Sequence, residues 1–275
     1  MQIRRWQDGK ILAVQPLMDM AGYIGHRGDY HDSFLRAVRK AGIEIKMGSE
    51  VASFNEDKPS ITLADGTEVV ADLIVGADGI KSKTRELVLG FTDAPKSSGY
   101  SCYRSYFPGD ILLGDERCKD FVSHDSVNIW IGPDVHLIQN SLRGGKEVNI
   151  IMTRKLSEEE DKEITESWFE DGDVNDVLAL TTDIDPWIRA VIEKIPGPPC
   201  LLDWKICYRD PLPTWVSKSH KIALLGDSCH PHLPTSAQGA SQATESAAVL
   251  AVCLKLAGKD NIPLAVSECR VPRAG

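Results

Sequence analysis

The sequence predicts an α/β fold, incomplete at its start, that is interrupted by an inserted, largely antiparallel β-sheet domain. Three observations carry this. Two continuous apolar runs, LIVGADG at 73–79 and IALLGD at 222–227, end in Asp–Gly or Gly–Asp as buried strands of an α/β sheet do. Between them the pattern changes to strands of moderate length with alternating polarity. After the second run, a long helix with a small apolar stripe spans about 238–257.

The elements follow in order. DYHDSFLRAVRK at 29–40 places Tyr30, Phe34, Leu35 and Val38 on one helical face, with Asp29 as N-cap and Gly42 past the end. Strand-like IEIKM (43–47) and EVASF (50–54) come next, then a hairpin, ITLADGTEVV, turning at Asp65–Gly66. The strand at 72–77 stops at Asp78–Gly79, and a helix is predicted from Ser82. YSCYRSYF, VNIWIG, VHLIQNSL and EVNIIMT read as an antiparallel sheet, the last two joined at Arg143–Gly144–Gly145. Ser157 to Glu160 has capping-box form and opens two or three short helices that run to the PGPP stop at 196–199. KIALLGDS and the helix from Gln238 to Ala257, with Ala240, Ala243, Ala247, Leu250 and Leu254 on its stripe, restore the first pattern. The expected domains are 1–90, 91–200 and 201–275, the first and last belonging together.

Composition excludes several classes. With 275 residues, 42% hydrophobic and 26% charged, the chain reads as a folded globular protein. Thirty-one basic against 40 acidic residues give a net charge of -9, which repels a phosphate backbone, so nucleic acid is not an expected partner. The seven cysteines are odd in number and scattered without a C-x-x-C pair, which fits reduced thiols and a cytoplasmic protein. The apolar stretch at 11–14 is too short for a signal peptide, and the run at 247–254 falls far below the ~18 residues that cross a bilayer. No membrane segment is expected in this chain, and nothing in it specifies an oligomeric state.

Chemistry concentrates at the two strand ends. A short carboxylate at the carboxyl end of a sheet strand faces the crevice where α/β folds bind ligands, although Gly–Asp pairs are also ordinary turn residues. The second is followed by a proline-stiffened loop, SCHPHLPTSAQ, that delivers Gly239 to a helix start. Helix-start amides favour negative charge, and the absence of a side chain lets a flat ring approach. Asp227, Cys229, His230 and His232 are all legitimate metal ligands, but their proline-stiffened spacing and the lack of a second ligand pair argue against zinc, so no metal is predicted. No G-x-S-x-G nucleophile elbow occurs.

LIVGADGIKSKTRE (73–86) and KIALLGDSCHPHLPTSAQGASQATESAAVL (221–250) closely resemble two fingerprints of the FAD-dependent aromatic hydroxylases, the salicylate and para-hydroxybenzoate hydroxylase superfamily. GHRGDYHDSFLRAVRKAG (25–42) is similar to that family's arginine-bearing helix start, and SECRVPRA (267–274) to its stretch before the final helices. The resemblance implies a Rossmann-like FAD-binding domain (1–90 and 201–275) around a substrate domain (91–200). It also implies NAD(P)H as electron donor and a small aromatic or polyketide-like molecule as substrate, hydroxylated or epoxidised. By this resemblance Arg27 pairs with the phosphate or ribose region of FAD, Asp227 holds its ribityl or pyrophosphate side, and Gly239 with Ala240 lies against the isoalloxazine edge. Asp78 and Gly79 serve both FAD and the pyrophosphate of NADPH, or else form a structural turn. Arg104 matches a catalytic arginine, or is a solvent-facing residue of an alternating strand. His136 is a candidate base toward a phenol. Four residues after it, where relatives carry tyrosine, this sequence has Asn140.

A complete fold of this kind needs a first βαβ unit with a G-x-G-x-x-G loop for the ADP pyrophosphate. The nearest string, GYIGHRG at 22–28, has the wrong spacing. The chain is therefore expected to lack its first FAD-binding segment and to bind FAD weakly or not at all by itself. The alternative is a truncated, non-catalytic relative acting as a binding protein. A flavin halogenase is disfavoured because the G-W-x-W-x-I-P signature is missing.

Overall fold

The computed structural model describes residues 1–16, 25–162, 170–234 and 237–268. In chain order the elements are β1 (Gln2–Arg5), β2 (Ile11–Val14), α1 (Arg27–Lys40), β3 (Val51–Asn55), β4 (Ser60–Leu63), β5 (Glu68–Val70), β6 (Ile74–Gly76), α2 (Lys83–Leu89), β7 (Lys96–Pro108), α3 (Asp110–Leu113) and β8 (Ser126–Gly132). They continue with β9 (Val135–Leu142), β10 (Glu147–Lys155), α4 (Glu158–Lys162), β11 (Glu170–Asp171), α5 (Val174–Leu180), α6 (Pro186–Ile192), β12 (Leu201–Tyr208), β13 (Ile222–Leu224), α7 (Gly239–Ala257) and α8 (Ile262–Glu268). The fold is the α/β class with a large, mostly antiparallel sheet. It divides into two compact units, Met1–Glu44 with Ser97–Ile206, and Ile45–Lys96 with Cys207–Gly275.

The first unit is an eight-stranded sheet ordered β11-β12-β7-β10-β9-β8-β1-β2. Strands β7 to β10 alternate so that one face is buried and the other more open. In β9, Leu137, Gln139 and Ser141 are buried inward, while His136, Ile138 and Asn140 share the opposite face. The inward face packs Phe107, Trp130, Leu137, Val148, Ile150 and Met152 against Val177 of α5 and Ile188, Val191 and Ile192 of α6. Each such side chain contributes about 1.5–3 kcal/mol when fully buried. Three polar side chains inside this layer form a chain: Asn128 Nδ2 donates to Gln139 Oε1 (2.9 Å), and Gln139 Nε2 donates to Ser141 Oγ (2.8 Å). Trp130 Nε1 donates to Asp185 Oδ2 (2.9 Å), whose other oxygen caps the start of α6. At the β9–β10 turn, Arg143, Gly144 and Gly145 all have φ between 57° and 79°, and a Cβ on Gly145 would run into the Val122 carbonyl.

The β1–β2 hairpin has no counterpart in the sequence reading. Strand β1 adds in parallel to β8, and the buried Trp6 donates its Nε1 to Asp183 (2.9 Å). Pairing of this kind is why the first 44 residues group with the large sheet, whereas the sequence-drawn boundary places 1–90 together.

The second unit contains the antiparallel sheet β3-β4-β5 and the parallel pair β6–β13. The β4–β5 hairpin turns at Gly66 (φ 86°) as expected. Ser82 caps α2 by accepting from the Arg85 amide (2.8 Å), and Gly90 ends it in the left-handed region (φ 76°). Two corrections arise. IEIKM is not a strand: it crosses the boundary between the units, pairs with no described strand, and leaves Ile43 and Met47 exposed. The inward face of α7 is also rotated from the expected stripe. Ser246 and Leu250 are buried, with Ala243 and Leu254 partly so, while Ala240 and Ala247 face out. The helix spacing 243, 246, 250, 254 presents this face to β13 and α8 through Ala223 and Val266. The matched segment 267–274 lies almost wholly outside the described residues, as does the first part of GYIGHRG.

Candidate functional site

The more open face of the large sheet holds a cleft of about 300 Å³ whose lining includes His26, Arg27, Arg104, Tyr106, Asn140 and Asn149, with Leu142 at its side. Strand register builds it. Tyr106, Asn149 and Asn140 lie directly opposite one another across β7, β10 and β9. Arg104, two residues before Tyr106 and therefore on the same face, forms the next row with Ile151 and Ile138. Its guanidinium stands 5.5 Å over the Trp204 ring. Burial lowers the Arg104 pKa, and the nearby positive charge of Arg27 lowers it further. Arg27 begins α1, whose entry is fixed by His26 Nδ1 accepting from the Gly28 amide (3.2 Å). Asp29 in the same turn accepts two bonds from Arg143 Nη2 (2.6 and 2.8 Å), tying the helix start to the β9–β10 turn.

Tyr106 was not singled out from the sequence, although it shares the alternation of Arg104. Its ring stacks on His26 at 5.1 Å. Burial and its hydrogen bond to Glu147 push the phenol up to about 12, so it remains protonated at neutral pH. Glu147 is held in turn by Arg143 Nη1 (2.8 Å). Asn149 carried no signal in one dimension; only the pairing with Asn140 brings it to the cleft. His136 lies on the same face of β9 but in a row with Thr153 and Cys102, outside this lining. Burial lowers its pKa, so the imidazole is neutral at pH 7.

In the second unit, Asp227 follows β13 in a single turn of 3-10 helix (Gly226–Ser228). Its exposed carboxylate makes no hydrogen bond or ion pair with any described residue. Gly226 (φ 63°) lies against α7, where an added Cβ would meet Ala243 at 3.3 Å. Gly239 opens the 19-residue α7 with no side-chain cap, and a Cβ placed on it meets nothing within 4 Å among the described residues. Ala240 beside it is exposed. His230 bonds Ser246 Oγ through Nε2 (2.9 Å), and burial, with His232 nearby, lowers its pKa. Asp78 is fully engaged as an anchor: Oδ1 accepts from Ser82 (2.6 Å), and Oδ2 from the Thr84 amide and hydroxyl (both 3.0 Å). Burial raises its pKa, but these bonds outweigh it and hold the carboxyl below its usual range. Gly79 (φ 78°) makes the turn between β6 and α2 that this anchor requires. Among the described residues, no three His, Cys, Asp or Glu side chains converge to hold a metal, and no helix is long and apolar enough to cross a membrane.

The family described as FAD binding domain matches residues 29–185, more than half of the chain. A 6-hydroxynicotinate 3-monooxygenase of Pseudomonas fluorescens is 31% identical over 98% of this chain and 69% of its own length. The chain belongs to the FAD-dependent monooxygenases. Within this family it is 33% identical to the FAD-dependent monooxygenase nodY2 of Hypoxylon pulicicidum over 89% of the chain. The crystal structure of CtdE in complex with FAD and its substrate 4 superposes with a TM-score of 0.87 at 30% identity, covering 98% of this chain. The chain spans 53% of the nodY2 relative and 66% of the CtdE chain. FAD is the cofactor of this family, and the second unit fits one of its edges: a space above Gly239 that no described residue fills, at a helix start without a side-chain cap, and a carboxylate at Asp227 without a partner among the described residues.

Proposed function

We propose that the protein is an FAD-dependent monooxygenase using NAD(P)H and oxygen to hydroxylate or epoxidise an aromatic or polyketide-like small molecule. A cytoplasmic role in secondary metabolism accompanies this reading. The observation that carries it is the bare start of α7 at Gly239, which leaves a flat ring free access to backbone amides. Bound FAD supplies the oxygen activation, which no side chain provides. The chain's own residues then divide the work. Asp227 accepts hydroxyl protons of the cofactor's sugar chain, Arg27 neutralises its phosphate, and Gly239 and Ala240 lie along the ring. The α7 dipole favours negative charge there. Arg104, half-buried and backed by Trp204, orients an anionic or hydrogen-bonding oxygen of the substrate. His136, neutral and on the same face of the sheet, is a reserve base reached only through a larger substrate or a water. Asp78 and Gly79 act by holding α2 in place.

FAD titration followed by flavin fluorescence tests this. The 275-residue chain is expected to bind weakly or not at all, and the chain joined to a strand–G-x-G-x-x-G unit to bind tightly. In the joined protein, Gly239→Leu should weaken FAD binding by about 10-fold or more while leaving the unfolding transition within ~1 kcal/mol of the parent, since leucine is the better helix former. Substrate-stimulated NAD(P)H oxidation across a phenol and polyketide panel then identifies the reaction. Tight FAD binding indifferent to Gly239→Leu would overturn the assignment. The alternative, a non-catalytic binding protein, predicts no NAD(P)H oxidation in the joined protein with any member of the panel.

A further inference from the structure

The cleft on the large sheet is chemically asymmetric in a way that its assignment to an aromatic substrate does not use. Arg27 and Arg104 can only donate hydrogen bonds, and they are close enough for the charge of one to depress the pKa of the other. Among the described residues that line the cleft, none is a carboxylate that would relieve that repulsion. Tyr106 directs its proton to Glu147, and His26 Nδ1 accepts from the Gly28 amide. The carboxamides of Asn140 and Asn149 are different. They stand opposite each other on β9 and β10, line the cleft, and make no side-chain hydrogen bond to any described residue; Asn140 Oδ1 is a buried oxygen with no partner.

A carboxamide presents a donor and an acceptor side by side, whichever way its ends are assigned. Its natural complement is an edge that also carries an acceptor and a donor side by side, bound through two parallel bonds, as asparagine binds the donor–acceptor edge of adenine. A simple phenolate has acceptor oxygen only, which the Arg104 guanidinium already satisfies. It would leave the carboxamide oxygens unpaired once water is excluded, which buried polar groups disfavour. We therefore propose that the cleft selects a planar lactam, a ring with N–H beside C=O, that also bears an anionic oxygen group. Asn140 and Asn149 read the lactam edge, Arg104 takes the anion, and the Tyr106–His26 stack supplies the flat wall. This rests on the assignment of the cleft to an aromatic substrate and narrows it to one class.

The test is calorimetric titration of the 275-residue chain with two near-isosteric probes, 2-quinolone-4-carboxylate and coumarin-4-carboxylate, which differ by N–H against ring oxygen. The lactam is expected to bind about 10-fold or more tightly than the lactone, and N-methylation of the lactam should abolish that advantage without any change to the protein. Asn140→Leu and Asn149→Leu should each bring the ratio below ~3 while leaving lactone affinity within ~2-fold, which also reports that the variant is folded. Equal affinity for the two probes, a preference that survives N-methylation, or no saturable binding of the lactam overturns the inference. The assignment to aromatic oxidation stands or falls separately, on the NAD(P)H oxidation panel.

Discussion

Arg85, in the KSKTRE stretch after β6, is 1% exposed and organises the loop that carries Asp227. Its Nε donates to Asp93 Oδ2 (2.7 Å) and its Nη2 lies 2.6 Å from the same oxygen. Nη1 donates to the Ser228 and Cys229 carbonyls (3.3 and 3.4 Å), and Nη2 to the Asp210 carbonyl (3.2 Å). Arg85→Met removes the charge and leaves three carbonyls without this donor. At about 1 kcal/mol for each carbonyl, plus the net worth of the ion pair, the expected loss is about 4 kcal/mol. Asp93→Asn instead strands two guanidiniums, because Arg209 Nη1 also reaches Asp93 at 3.4 Å. Breaking a buried pair costs about 3–5 kcal/mol, and the 16% exposure of Asp93 places it at the low end, about 3 kcal/mol. Since domain stability is only about 5–15 kcal/mol, either change should be plain in urea unfolding followed by circular dichroism. The double variant should lose about 5 kcal/mol rather than the sum, because one of the two stranded charges is gone: a coupling of about 2 kcal/mol. Amide exchange should rise in the 226–230 segment for both single variants. Additivity within ~0.5 kcal/mol, or a loss below ~1 kcal/mol for Arg85→Met, would refute the claim that this buried pair holds the loop.

Two further outcomes are expected. His136 and His230 both have pKa values lowered from 6.5, chiefly by burial, so the unfolded chain takes up protons first as pH falls. Stability should therefore be complete above about pH 6.5 and decline as pH drops through that value; replacing both histidines by glutamine should flatten the urea midpoint between about pH 7.5 and 5.5, and an unchanged slope would contradict the burial argument. Tyr106, pushed up to about 12, should ionise above the ordinary tyrosine range of about 10 in an absorbance titration, and Glu147→Gln should bring it down; an identical titration in that variant would remove Glu147 from the account.

Most elements were legible because local chemistry decides them. The α2 cap at Ser82, the Asp65–Gly66 turn, the capping bonds between Ser157 and Glu160 and the start of α7 at Gly239 all follow from nearby residues. The failures share a cause. IEIKM has strand composition, but a strand exists only by pairing, and no described partner lies beside it. The β1–β2 hairpin was overlooked for the converse reason: four-residue strands carry little periodicity, and β1 becomes one by joining β8 more than a hundred residues away.

The candidate site divides along the same line. Asp227 and Gly239 stand in strings marked by a strand end and a helix start, because backbone constraints there act over a few neighbours, whereas Arg27 and Arg104 were marked by the family resemblance. Asn149 and Tyr106 become site residues only through the register of β7, β10 and β9, and Asp78 proved to be a fully bonded anchor only when Ser82 and Thr84 folded back onto it. Sequence order determined which segments turn, cap and present a bare backbone, since those depend on φ and on nearby side chains. Tertiary structure decided which charges share a cleft and which are already satisfied, because proximity across a sheet is set by pairing between distant strands.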